Sequence, residues 1–218
     1  MQVYYLPIIC PTWNKTDSML LNVVSPERQK KIFKYVHDID KKLSLYAALI
    51  TRMGISVMTN SPARGLLFSH ELDHKPLCLS YSNIDFSFSH TGNAILCCIS
   101  SVSTVGADIE KIGLAPFDIM PQIFNPVEIE YIEQSQDYQK TFRFYEIWTR
   151  KEAYTKQLGI GIVCNPADIN TLSAKNVSHI HTWKQDVYLC SVSANMSEEI
   201  NKKLLSEEEV HKYYLELD

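Results

Sequence analysis

The sequence predicts an α+β fold built from two similar halves, residues 1–104 and 105–218. Three observations point to it. A helical stretch followed by a β-hairpin pattern occurs twice, once in each half. The strand Ile95-Leu96-Cys97-Cys98-Ile99-Ser100 resembles Tyr188-Leu189-Cys190-Ser191-Val192-Ser193, the matching place in the second half. The 218 residues are 45% hydrophobic, enough for one large core or two small ones, with a ligand cleft expected between the halves.

The elements follow in order. Val3 to Ile9 reads as a strand, ended by Pro11. Ser25 is the expected N-cap of a helix with Pro26 at its first position, carrying Ile32, Phe33 and Val36 as apolar positions. A second helix is predicted from about Asp40 to Met53, with Leu43, Ala47 and Ile50 on one stripe and Gly54 as its stop. Phe86 and Phe88 alternate with Ser87 and Ser89, which predicts a strand. Thr91, Gly92 and Asn93 turn it into a second strand, Ile95 to Ile99. In the strand Val105 to Glu110, Val105, Ala107 and Ile109 face the core, and Gly106, Asp108 and Glu110 share the other face. Asn125, Pro126 and Glu128 open another helix, and Phe142 to Leu158 forms a longer one stopped by Gly159. Strands His179 to Trp183 and Val187 to Ser193 follow, then a polar tail from Ser197 that ends in a peripheral Glu-rich helix.

Charge and composition exclude several classes. With 21 Lys and Arg against 25 Asp and Glu, and no long basic run, nucleic acid is not the expected partner. Six cysteines form no C-x-x-C pair, so no zinc or redox motif is indicated. No stretch approaches membrane-spanning length, and the first residues lack a secretory pattern, so a reduced, cytoplasmic setting is expected. Walker-type, G-x-G-x-x-G and G-x-S-x-G motifs are absent, which leaves kinase, dinucleotide-dehydrogenase and α/β-hydrolase readings without support.

Two acidic clusters carry the chemistry. Asp108 and Glu110 lie two apart on a strand, roughly 7 Å between Cα atoms, so both side chains reach one cation. Such a pair alone is more often a charged strand edge; Gly106 just before it leaves room for a close backbone or a ligand. In Trp148 to Lys156, Glu152 and Lys156 are i,i+4 neighbours, with Lys151 beside them. Trp148 lies on the side of Glu152, and Ile147, Tyr154 and Leu158 are expected to face the core. Brought together, three carboxylates suit Mg²⁺ and the lysines suit phosphate, so a metal-bound pyrophosphate is the natural occupant. His90 ends a strand and Lys75 sits in a loop, positions that are commonly structural and solvated respectively. Arg28 and Lys31 lie in the first turns of a helix, where positive charge opposes the dipole; an anionic ligand or a solvated face accounts for them. Glu128, three after Asn125, fits either a capping box or a site role.

Together these segments resemble the Sfp-type 4'-phosphopantetheinyl transferases, from Ser25 to about Val163. The motifs G-x-D-I-E-K and W-[ST]-x-K-E-[AS]-x-x-K stand here as Gly106 to Lys111 and Trp148 to Lys156. S-P-E-R at Ser25 to Arg28, K-P at Lys75 and Pro76, and F-x-x-S-H-[ST]-G at Phe86 to Gly92 add to them. The resemblance implies two α+β halves related by a pseudo-twofold axis, with coenzyme A between them. It implies an enzyme, a pseudo-dimeric monomer, that moves phosphopantetheine from coenzyme A to a serine of an acyl or peptidyl carrier protein and releases 3',5'-ADP. By the family pattern, Asp108, Glu110 and Glu152 ligate Mg²⁺, and Lys156 and His90 contact phosphates with Lys151 close by. Arg28, Lys31, Ser44, Lys75 and Ser89 match positions that hold the nucleotide or its phosphates. Glu152 is the expected base, directly or through a water, with Glu128 its rival. The chain departs from the pattern at His74, where Gly is usual, at Leu43, where a basic residue is common, and at Ala107, where the side chain is usually branched. Two other readings are a non-catalytic homologue that binds coenzyme A or a carrier protein, and a Mg²⁺-dependent hydrolase of another pyrophosphate.

Overall fold

The structure is a computed structural model describing residues 1–69, 75–159, 165–173, 179–195 and 197–216. His74, Cys164 and the end of the family-like stretch at Val163 fall outside them. The strands are β1 (Gln2–Pro7), β2 (Asp85–Thr91), β3 (Ala94–Ser100), β4 (Val105–Lys111), β5 (Ile180–Gln185), β6 (Tyr188–Ala194) and β7 (Asn201–Leu204). The helices are α1 (Lys15–Leu20), α2 (Pro26–Ile32), α3 (Asp38–Thr59), α4 (Met120–Ile123), α5 (Pro126–Glu133), α6 (Asp137–Leu158) and α7 (Glu207–Leu215).

Two sheets form, in the orders β2-β3-β1-β7 and β4-β6-β5. Each holds a strand, a hairpin and a 22-residue helix, α3 in the first unit and α6 in the second. The resembling strands β3 and β6 are the seven-residue central strands, buried along their whole length. Period-2 alternation decides which side each residue faces. Val3, Tyr5, Leu96 and Cys98 of the first sheet meet Val105, Ala107, Ile109, Cys190 and Val192 of the second in one apolar layer. On its other face the first sheet packs Tyr4, Leu6, Ile95, Cys97 and Ile99 against Leu43, Ala47, Ile50 and other residues of α3. A sheet–sheet layer thus lies between two long helices.

The α6 side is different. Its contact with the second sheet carries polar pairs: the Thr149 hydroxyl lies within hydrogen-bond distance of Ser191 Oγ at 2.8 Å, and Ser193 Oγ donates to Gln157 Oε1 at 2.5 Å, while Thr182 of β5 stands 2.9 Å from the same Ser191 Oγ. Hydrogen bonds set the register of a helix more sharply than apolar contact, because each unmade buried bond costs about 1–3 kcal/mol. Gly106 lets α6 approach: a Cβ there would overlap the Ala153 carbonyl. The aromatic cluster behind α6 is built by Phe124, Phe144 and Trp148, with Phe144 and Trp148 stacked at 6.0 Å between centroids.

Several expectations are corrected. α3 does not stop at Gly54 but runs to Thr59 and ends on Asn60 in the left-handed conformation, φ 54°. Gly54 is there because the Ile99 side chain and the Tyr4 ring press on its helix face. α6 begins at Asp137, five residues before Phe142, and ends at Gly159 in the left-handed region as expected. Leu158, at that end, is exposed rather than in the core. α2 is only seven residues long, so Phe33 and Val36 lie beyond it and are exposed. Its shortness also puts Lys31 in the last turn, where a cation suits the dipole instead of opposing it.

The tail from Ser197 is not peripheral. β7 pairs parallel with β1, and α7 packs on α3. Val210 and Tyr214 are buried, and Tyr214 Oη donates to the Leu49 carbonyl at 2.7 Å. Glu207 pairs with the buried Lys42 at 2.7 Å. The end of the chain therefore crosses back to complete the first sheet, and the second unit of the fold is shorter than 105–218. Tyr214→Ala is expected to destabilise the protein by about 3–5 kcal/mol, the usual cost of truncating a buried aromatic. Urea denaturation checks it; a change below about 0.5 kcal/mol, normal for a surface site, would return the tail to the periphery.

Candidate functional site

The site forms where β2 of the first sheet runs beside β4 of the second. The two strands are joined through side chains. The Asp85 carboxylate accepts from the Val105 N–H at 2.7 Å, and Ser87 Oγ accepts from the Ala107 N–H at 3.0 Å. Two residues further along, Ser89 Oγ donates to Asp108 Oδ1 at 2.8 Å. Ser87 and Ser89 are the polar members of the alternation that predicted the strand, and Asp85, two residues before Ser87, shares their face.

Asp108 is 2% exposed. Lys156 reaches it from α6, two turns beyond Trp148, and donates to Oδ1 at 2.6 Å and to Ser89 Oγ at 3.2 Å. Asp108 Oδ2 is buried and has no hydrogen-bond partner. A buried, unsatisfied carboxylate oxygen costs several kcal/mol unless something meets it. Glu152 stands one turn before Lys156, its carboxylate 4.0 Å from the ammonium and half exposed.

Glu110 and Glu152 sense this charge. Burial, then the Asp108 carboxylate, pushes Glu110 from 4.5 up to about 7; a hydrogen bond from Thr91 and the Lys156 charge pull the other way, and Glu152 adds to the rise. Glu152 is also raised, by burial first; Lys156 opposes the rise and Asp108 adds to it. Three acids thus feel one another at one place. Among the described residues, however, no three His, Cys, Asp or Glu side chains stand close enough to hold a metal ion. The Lys156 ammonium, 2.6 Å from Asp108 Oδ1, offsets the charge of that carboxylate.

A second group of expected residues lies on the first unit. Arg28 crosses from α2 to donate to the Ser44 carbonyl at 2.7 Å, with its guanidinium 5.5 Å from the centre of the Phe88 ring. Its Nε is buried with no partner, and burial holds its pKa below the usual value. Ser44 itself is buried on α3, and Leu43 beside it points into the core, where a basic residue would be costly. Lys31 is exposed; its pKa is lowered by desolvation first, then by the like charges of Arg28 and Lys34. His90 links the two groups. Burial depresses its pKa, and both Arg28 and Lys156 press it down further while Asp40 opposes, so it is neutral at pH 7.

Lys151 and Lys75 sit elsewhere than expected, and Glu128 takes the capping role, one of its two expected readings. Lys151 is buried and turned away from the site, paired with Glu128 at 2.8 Å and donating to the Pro166 and Ile169 carbonyls at 2.7 and 2.5 Å. One position along a helix turns a side chain by about 100°, which separates Lys151 from Glu152 and Lys156. Glu128 is fully buried. It caps α5 through the Asn125 N–H at 2.9 Å and accepts from the Thr171 N–H and hydroxyl at 2.8 and 2.7 Å. With both oxygens engaged it is placed as a structural anion and not as a base. Lys75 is not a solvated loop residue: its ammonium donates to the Asp85 carboxylate and, at 2.7 Å, to the Val105 carbonyl. Asp85 and Ser87 were given no role from the sequence; the signal was there, as polar residues alternating with Phe86 and Phe88.

Comparison with known proteins follows the same lines. A family model described as the 4'-phosphopantetheinyl transferase superfamily matches residues 104–213. Another, described as 4'-phosphopantetheinyl transferase, N-terminal, matches residues 11–102. A 4'-phosphopantetheinyl transferase of Bacillus subtilis is 26% identical over 180 residues, covering 83% of this chain and 80% of the relative. The 4'-phosphopantetheinyl transferase gsp of Aneurinibacillus migulanus is 31% identical over 153 residues, covering 68% and 63%. The L-aminoadipate-semialdehyde dehydrogenase-phosphopantetheinyl transferase of Mus musculus is 24% identical over 169 residues, covering 70% and 55%.

Two outcomes test the site's electrostatics. A carboxyl whose folded pKa is raised binds its proton more tightly folded than unfolded, so its contribution to stability is full below about 4.5 and is lost as pH rises through about 7. With divalent cations chelated, the urea midpoint of the wild type should carry that decline and Glu110→Gln should lack it; parallel curves would contradict the coupling. Glu128→Ala, which strands the Lys151 charge, should cost about 3–5 kcal/mol in the same measurement, and a variant as stable as wild type would show that the pair is not structural.

Proposed function

The chain belongs to the 4'-phosphopantetheinyl transferase superfamily and is an enzyme of that kind, and from that premise we propose that it transfers the 4'-phosphopantetheine group from coenzyme A to a serine of an acyl or peptidyl carrier protein with Mg²⁺, releasing 3',5'-ADP. The observation that carries this reading is the meeting of Ser89, Asp108 and Lys156 from three separate elements, with Asp108 Oδ2 left unsatisfied among them. The two units, each a strand, a long helix and a hairpin, are read as related by a pseudo-twofold axis, with coenzyme A bound where they meet.

The donor set fits Mg²⁺. Its members are hard carboxylate oxygens, one of them buried and unpartnered; burial first, and then the Asp108 charge, raise Glu110 and Glu152, and a divalent cation would favour their charged forms. Asp108, Glu110 and Glu152 would hold it. When bound, it would supply positive charge to the pyrophosphate oxygens.

The protein's own residues do the rest. The carrier serine oxygen bonds to the β-phosphorus of coenzyme A as the bond from that phosphorus to the oxygen of 3',5'-ADP breaks. Phosphoryl transfer of this kind needs alignment and charge stabilisation more than covalent help from the protein. Lys156 stabilises the negative charge that accumulates on the leaving phosphate. The serine proton passes to Glu152, directly or through a water. Neutral His90 donates to a phosphate oxygen, and Arg28, Lys31, Lys75, Ser44 and Ser89 bind the nucleotide end and its phosphates. The Nε of Arg28, buried without a partner, suits an anion there.

Incubation with coenzyme A, Mg²⁺ and an apo carrier protein, followed by mass measurement of the carrier, tests the reading. Glu152→Ala should remain folded and leave the carrier unmodified. A folded Glu152→Ala protein that still converts the carrier at the wild-type rate would remove Glu152 from the mechanism. Release of nucleotide with no gain in carrier mass would favour hydrolysis of a pyrophosphate instead.

A further inference from the structure

The joint between β2 and β4 is closed at its far end by an ion pair whose carboxylate, Asp85, has no role in the transfer chemistry given above. Asp85 Oδ2 accepts both the Lys75 ammonium and the Val105 N–H. The same ammonium donates to the Val105 carbonyl at 2.7 Å. The Val105 residue is therefore gripped at both of its backbone polar groups, by a carboxylate on one and by an ammonium on the other. Both side chains are largely buried, 18% exposed for Asp85 and 15% for Lys75, so water competes weakly for these bonds. Val105 opens β4, and Asp108 stands three residues further along the same strand.

We propose that Asp85 is a positioning residue for the transfer reaction: by holding the Val105 peptide, together with Lys75, it fixes where β4 lies against β2 and so where Asp108 stands relative to Ser89 and Lys156. The proposal rests on the function given above for Asp108. β4 has β6 on one side only, and its other edge is met by side chains of β2. Ser87 supplies a single neutral bond in the middle of that edge, whereas the charge-assisted bonds at Asp85 are roughly twice as strong. Without them the strand is held to β2 only from Ala107 onward. A displacement of about 1 Å at a reacting centre costs on the order of 10²-fold in rate, so even a partial shift of Asp108 is readable in kcat.

The test compares Asp85→Ala with Asp85→Asn. Asn keeps an oxygen for the Val105 N–H but cannot ion-pair with Lys75, so it separates placement of the strand from charge on the lysine. In the carrier-modification assay, Asp85→Ala should lower kcat about tenfold or more while KM for coenzyme A changes less than threefold, and Asp85→Asn should recover most of kcat. An Ala variant with wild-type kcat overturns the proposal. An Asn variant as slow as Ala also overturns it, since the effect would then run through charge. A loss confined to KM does the same, since it would mark Asp85 as acting on coenzyme A binding through Lys75.

Amide hydrogen exchange read by NMR gives an answer that does not need activity. Exchange at Val105 should quicken by about tenfold or more in Asp85→Ala, as expected for an amide that loses its acceptor, and stay near wild type in Asp85→Asn, with Ile99 in β3 unchanged in both. Unaltered exchange at Val105 in Asp85→Ala overturns the proposal even if the wild type proves to modify no carrier, an outcome that would sink the functional reading and leave the positioning claim to be decided by exchange alone. If Asp85→Ala fails to fold, Asp85→Asn decides alone: protected Val105 with near-normal kcat supports strand placement by Asp85, and a quickened Val105 refutes it.

Discussion

Ser89, Asp108 and Lys156 form one hydrogen-bonded unit only because β2 and β4, from different sheets, run side by side. Backbone pairing does not hold these strands; β2 is laddered to β3 and β4 to β6. Side chains on every second residue of β2 take the place of a ladder, and this leaves the backbones far enough apart for a charged side chain to stand between them. An ordinary continuous sheet would have closed that space.

The helix that delivers Lys156 is held with equal care. Thr149, Gln157, Ser191 and Ser193 give α6 a polar contact with its sheet, and Gly106 allows its backbone to touch the strand that carries Asp108. α3 packs its sheet with apolar side chains and carries fewer of the charged groups discussed here. The difference follows from what each helix must do: an apolar contact tolerates sliding, and a site on a rigid element requires a fixed register. Lys151 and Glu128 extend the same support on the far side of α6, where they tie it to α5 and to the 165–173 segment.

Much of this was legible in the sequence. Alternation predicted β2 and β4, an apolar run after the turn at Thr91 to Asn93 predicted β3, the capping residues Ser25 and Asn125 were read correctly, and the acidic motif residues fall where the two units meet. What escaped reading has physical causes. Gly54 lies inside a helix because tertiary packing against Ile99 and Tyr4 outweighs its poor helix propensity. β7, four exposed residues long, has no apolar pattern, and its pairing with β1 is a long-range contact that no local rule reports. Lys151 next to Glu152 in sequence suggested nearness in space, but helical rotation sends neighbours to different faces. Lys75 and Asp85 are ten residues apart with no motif between them, and only the folded joint reveals their partnership.

The central claim is that Asp108, gripped by the joint, is the anchor for a divalent cation over a diphosphate. The most direct measurement is an anomalous-scattering crystal structure with Mn²⁺ and coenzyme A. The account predicts one strong Mn²⁺ site bonded to Asp108 Oδ2, with Lys156 moved off Asp108 toward the phosphates. A well-ordered Mn²⁺ on the coenzyme's diphosphate with no bond to Asp108 would contradict it.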